Sequence, residues 1–73
     1  MNTYLFPWHT DDTCTISKVM ARNYNECEEK IKNIYLEKYD DLNDLLDYDD
    51  FLYDLGDKHG IFIGDIFEIN EFT

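Results

Sequence analysis

A chain of 73 residues with 17 acidic side chains against six basic ones carries a net charge of −11. That charge repels phosphate-rich surfaces, which argues against direct binding to DNA, RNA or an anionic membrane. A domain of this size buries only about 60% of its unfolded surface and leaves no room for a deep cofactor pocket. The 44% hydrophobic content, with six Tyr, five Phe and one Trp, sets the chain apart from the disordered polymers that so acidic a composition would otherwise give.

From Thr3 to His9, Tyr4, Phe6 and Trp8 alternate with Leu5, Pro7 and His9, the period of two expected of a half-buried strand. Pro7 cannot donate to a ladder, which predicts an edge strand or an amide side turned outward. Thr10, Asp11 and Asp12 supply turn chemistry. A second alternating run from Thr13 to Ala21 sets Cys14, Ile16 and Met20 on one side and Thr15, Ser17 and Val19 on the other, so the two runs read as an antiparallel hairpin.

Asn23 followed by Glu26 fits a capping box, and Glu28 and Glu29 suit the positive end of a helix dipole. Cys27, Ile31, Ile34 and Tyr35 recur at helical spacing, with Tyr24 able to join them and Lys30, Lys32 and Lys38 in the later turns. The pattern predicts an amphipathic helix of about fifteen residues lying on the hairpin. Beyond it, Leu42, Leu45 and Leu46 suggest a short helix over 41–47. Phe51, Leu52 and Leu55 suggest another over 50–58, capped by Asp49 and ending at Gly56 or Gly60, unless the two form one kinked helix. Ile61, Phe62 and Ile63, then Ile66, Phe67 and Ile69, make a β-rich run broken by Gly64 and Asp65, as a bulge in one strand or as a tight hairpin turn. The order β-β-α-α-β predicts a single α+β domain over 1–73, with helices packed on one face of a small antiparallel sheet.

Charge is concentrated between Tyr39 and Asp57, where the sequence reads YDDLNDLLDYDDFLYDLGD and holds no Lys, Arg or His. The candidate partner-binding residues are Asp40, Asp41, Asp44, Asp47, Tyr48, Asp49, Asp50, Tyr53, Asp54 and Asp57. Asp40, Asp44 and Asp47 step by four and three, as do Asp50, Asp54 and Asp57, which on helices would set each trio along one face. At about 1.5 Å rise per residue, eight aspartates over this length approach the spacing of phosphates on one DNA strand, about 3.4 Å. The plain alternative is a solvated face that keeps an acidic domain dissolved. Ordinary surface helices intersperse lysines to gain ion pairs and relieve repulsion, so the absence of any cation favours a surface meant for a basic partner. Tyr39, Tyr48 and Tyr53 would add short-range anchors.

A calcium loop needs oxygen ligands at alternate positions, Gly at the sixth and Glu at the twelfth, and no register of the aspartates fits. His9, Asp11, Asp12 and Cys14 match no closed tetrahedral set. Cys14 and Cys27 read as buried, inert thiols of a reducing cytosol, and His59 as a last-turn cation or loop residue. With no Gly-rich phosphate cradle and no GxSxG, the reading is a non-enzymatic protein with no cofactor. It has no secretion signal and no membrane span, and would act in the host cytosol.

In size, in the segment DDLNDLLDYDDFLYDLGD and in the absence of an enzyme motif, the chain resembles a class of very small, strongly acidic proteins made by phages and other mobile elements. That class includes anti-CRISPR and anti-restriction proteins, several of which act as DNA mimics. The resemblance covers about a quarter of the chain and rests on no family-specific motif. It implies a stoichiometric inhibitor of a nucleic-acid-handling protein or ribonucleoprotein. A second expectation is a structural or regulatory interaction module, a homodimer joined through the Tyr4, Phe6 and Trp8 strand or through the Ile61 to Ile69 edge.

Overall fold

The computed structural model describes residues 1–69. Its elements are β1 (Asn2–His9), β2 (Cys14–Ala21), α1 (Tyr24–Lys38), α2 (Tyr48–His59), β3 (Phe62–Ile63) and β4 (Phe67–Ile69). The α+β class and the element order match the reading from sequence, with the last strand in two pieces.

β1 and β2 pair antiparallel over their full length, from Asn2 opposite Ala21 to His9 opposite Cys14. Thr10 makes the turn: its amide donates to the Thr13 carbonyl at 2.8 Å, and its hydroxyl accepts from the amides of Asp12 and Thr13 at 3.3 and 3.2 Å. β3 and β4 both run antiparallel along the other side of β1, with Trp8 opposite Ile63 and Thr3 opposite Ile69. Between them the register slips by one residue, so Gly64 and Asp65 belong to a bulge in a single course of chain and not to a hairpin turn.

β1 is therefore central, and of the two alternatives that Pro7 left open the edge position fails. The ring is tolerated because the Pro7 carbonyl accepts from the Gly64 amide at 2.8 Å, so the side of Pro7 that lacks an N–H faces the bulge, where the ladder is already interrupted. Gly64 allows this approach, since a Cβ there would lie 3.1 Å from Pro7 Cγ. With neighbours on both sides and with Tyr4 and Phe6 buried, β1 offers no free edge to a second chain.

The first helix follows its sequence signals closely. Asn23 Oδ1 accepts from the Glu26 amide at 2.8 Å, and Glu26 in turn accepts from the Arg22 amide and guanidinium at 3.1 and 2.9 Å. Cys27, Ile31 and Tyr35 of α1 meet Tyr4 and Phe6 of β1 and Phe51 and Leu55 of α2 in one core, which Ala21, Leu42 and Ile61 complete. Ile34, read as part of the stripe, is exposed.

Three further expectations are corrected. Cys14 is exposed, while Cys27 is fully buried as expected, and both are free thiols. In β2 the small side chains Thr15, Ser17 and Val19 face the helices because register sets them beside Trp8, Phe6 and Tyr4, whose bulk already fills that layer. Cys14, Ile16 and Met20 are left outward. Residues 41–47 form successive turns and no helix. The cap of α2 is Asp47, whose Oδ1 accepts from the Asp50 amide at 3.0 Å, so the helix starts earlier than the sequence suggests, and Asp49 lies inside its first turn. Gly60 ends it in the left-handed conformation at φ 66°, where a side chain would be strained.

Candidate partner-binding surface

The acidic segment is held in place by cations that bond its main chain. Lys32 Nζ donates to the Leu46 carbonyl at 2.6 Å, and Lys58 Nζ to the Asp41 carbonyl at 2.7 Å. His59 Nε2 lies 2.8 Å from Asp41 Oδ1, with its ring stacked on Tyr39 at 3.9 Å between centroids. Leu42 plugs the core from the same stretch, and Asn43 Oδ1 accepts from the Leu45 amide at 2.9 Å. The turns of 41–47 thus have a fixed shape without helical hydrogen bonds.

Lys32 is the least expected of these groups. It is only 7% exposed, its ammonium lies 5.9 Å from the Phe51 ring centre, and Glu29 stands 3.6 Å away. The sequence places it only in the later turns of the helix, because a bond to a carbonyl 14 residues away leaves no trace in local pattern. Replacing it by methionine keeps most of the apolar stem and removes the charged donor. We expect Lys32→Met to cost about 1–3 kcal/mol, and hydrogen exchange to quicken at the amides of 41–47 more than in the hairpin.

The ten candidate side chains divide into two groups. Asp40, Asp44, Asp49, Asp50 and Asp57 are exposed and make no hydrogen bond or ion pair among the described residues. Tyr53 is 83% exposed. The other four serve the fold. Asp47 is the cap; Asp54 is half-buried and 3.3 Å from Lys58 Nζ; Asp41 is exposed but tied to His59, whose hydrogen bond holds its carboxyl below the usual range. Tyr48 turns its hydroxyl inward, out of reach of solvent and unpartnered among the described residues. Burial, and after it the charge of Glu28, push that phenol well above its ordinary value.

The expected Asp40, Asp44 and Asp47 row does not exist as a helical face, because the backbone there turns. On α2 the outward row is Asp49, Tyr53 and Asp57, one helical turn apart, with Asp50 beside it. The row borders an open groove of about 560 Å³ between α2 and β3, lined by Leu52, Tyr53, Gly56, Phe62 and Ile63 with Asp49 and Asp57 on it. Gly56 makes the groove shallow: a Cβ there would stand 2.8 Å from Phe62 Cε1, so the ring lies directly against the helix. Leu45, 89% exposed, stands among the aspartates of the turns that precede α2. In the sequence it looks like a core leucine, and nothing there marks it otherwise.

Like charges meet where α1 approaches the start of α2. The carboxyl of Glu28 titrates above its ordinary 4.5, pushed up by partial burial and then by the charges of Asp49 and Glu29. A raised carboxyl contributes stability that is fully present below 4.5 and lost as pH rises through the folded value. Glu28→Gln is therefore expected to raise Tm at neutral pH. The gain should disappear once the pH falls below about 4.5, where the native carboxyl is protonated in both states.

Among the described residues no group of three His, Cys, Asp or Glu side chains is placed to hold a metal ion, and no helix is long and apolar enough to cross a membrane. No family model, curated protein or solved structure matches the chain.

Proposed function

We propose that the protein is a stoichiometric inhibitor that sets its 40–57 surface on the basic nucleic-acid-binding face of a partner and excludes the nucleic acid, a CRISPR effector being one candidate target. The observation that carries this reading is where the nearby cations go. Lys32 and Lys58 donate to main-chain carbonyls, which fixes the backbone while five aspartates remain unneutralised. The carboxylates these ammonium groups do pair with, Glu29 at 3.6 Å from Lys32 and Asp54 at 3.3 Å from Lys58, are not among the five.

Charge density points the same way. The twelve residues of α2 together with its cap carry Asp47, Asp49, Asp50, Asp54 and Asp57, about one carboxylate per 3.9 Å of axis at about 1.5 Å rise per residue, against about 3.4 Å between phosphates of one strand. Carboxylates attract lysines and arginines over a screening length of about 8 Å. At contact range Tyr53 and Leu45 supply apolar area, and the groove beside Asp49 and Asp57 accepts the stem of a long basic side chain with a carboxylate for its charged end.

The test is displacement. The protein is titrated into preformed complexes of fluorescent duplex DNA with purified CRISPR effectors and restriction enzymes. The expected result is release of DNA at one-to-one stoichiometry from at least one of them, less effective as salt rises. Binding that leaves the DNA in place would show that another face makes the contact and would end the proposal.

A further inference from the structure

On the side of the sheet away from the helices, Ile16 and Met20 of β2 and Phe67 of β4 are 62%, 48% and 56% exposed, Leu5 and Pro7 of β1 lie half-buried between them, and at one end Thr3 is buried at 5% exposure. Among the described residues no Asp or Glu occupies an outward position of β1, β2, β3 or β4 on this face. The single formal charge there is Lys18, on the outer strand, where its ammonium can reach water past the rim. In so acidic a chain, a charge-free apolar face is a segregated one.

Each edge of the sheet is interrupted at one point. Along the free side of β2, Lys30 Nζ bonds the Met20 carbonyl at 2.6 Å, which occupies an acceptor that an added strand would need. The opposite edge is broken by the bulge between β3 and β4.

We infer that a second copy of the chain docks here, sheet against sheet, in a symmetric dimer with four layers and the helices outermost. The occupant follows from charge and size. A basic partner finds no counter-charge on the face and an acidic one finds only Lys18 at its rim, whereas an identical face is apolar, charge-poor and complementary to itself under a two-fold axis. Stacking buries no carboxylate from the outward strand positions and leaves the aspartates on the helix layer. Three strands abreast and about eight residues long cover roughly 26 by 14 Å. The relief of the side chains carries the area buried by two such faces towards the ~1,000 Å² that a specific contact needs.

Sedimentation equilibrium of the full chain, from about 5 to about 500 µM at low and at raised salt, tests this. The expected result is a species of twice the 8.8 kDa chain mass, tighter at raised salt because screening weakens repulsion between the copies while the contact itself is uncharged. Ile16→Glu combined with Met20→Glu should weaken it at least about 30-fold, and should lower Tm only at concentrations where the parent chain is dimeric. Should glutamate disturb the strand, Ile16→Thr with Met20→Thr suits β structure and should weaken it in the same direction. A chain that stays at 8.8 kDa throughout, a dimer untouched by both double variants, or open-ended oligomers would each overturn the inference.

Discussion

Phe51→Ala should leave a protein that is largely unfolded or within about 1–2 kcal/mol of unfolding at 25 °C. Phe51 has no exposed surface, and it is the side chain of α2 that reaches both the shared core and the ammonium of Lys32. Truncating a buried phenylalanine costs about 3–5 kcal/mol, part as lost transfer energy and part as the cavity left behind. Against that stands the whole stability of a 73-residue domain, about 4–11 kcal/mol at ordinary values per residue. A net charge of −11 pushes it towards the low end by self-repulsion. In urea, with a slope of about 1 kcal/mol per molar for a domain this small, the midpoint should fall by at least ~2 M. Raising the salt should recover part of the loss by screening the aspartates, which a purely apolar deficit would not do. A shift below ~0.5 M would mean that α2 is not held by this contact.

The sequence is legible where structure is made by near neighbours. The hairpin follows from alternation, and α1 from a cap and a stripe that the structure reproduces at Asn23, Glu26, Cys27, Ile31 and Tyr35. It misleads where a distant group decides. Leu42, Leu45 and Leu46 have helical spacing, yet only Leu42 is buried, because Lys32 and Lys58 reach in from 14 and 17 residues away and hold the backbone in turns. Both sides of β2 alternate equally well, and the aromatic side chains of β1, placed opposite by register, select the smaller set for the interior. Composition locates the acidic surface but does not sort it. Asp41, Asp47 and Asp54 are committed to His59, a helix cap and Lys58, and the Tyr48 hydroxyl is enclosed, all through contacts that chain order does not encode.

That sorting selects the variant with the largest expected effect on binding. Asp44, Asp49, Asp50 and Asp57 have no structural partner among the described residues, so their joint replacement by asparagine should keep the fold and relieve repulsion. Exposed charges facing a basic partner are each worth up to about 1 kcal/mol. Four lost together should weaken target binding by about 3–4 kcal/mol, or roughly 100- to 1,000-fold in Kd. The dependence of affinity on salt should flatten as well, and most of the kinetic change should fall on the association rate. A second variant removes the same charge elsewhere: Asp11→Asn, Asp12→Asn, Glu37→Gln and Asp65→Asn, at four exposed positions outside the segment. If the surface is read in place of a phosphate backbone, this control should lose less than about tenfold. Equal losses from the two sets would mean that the target responds to net charge alone, and the geometry of α2 and its preceding turns would then have no part in recognition.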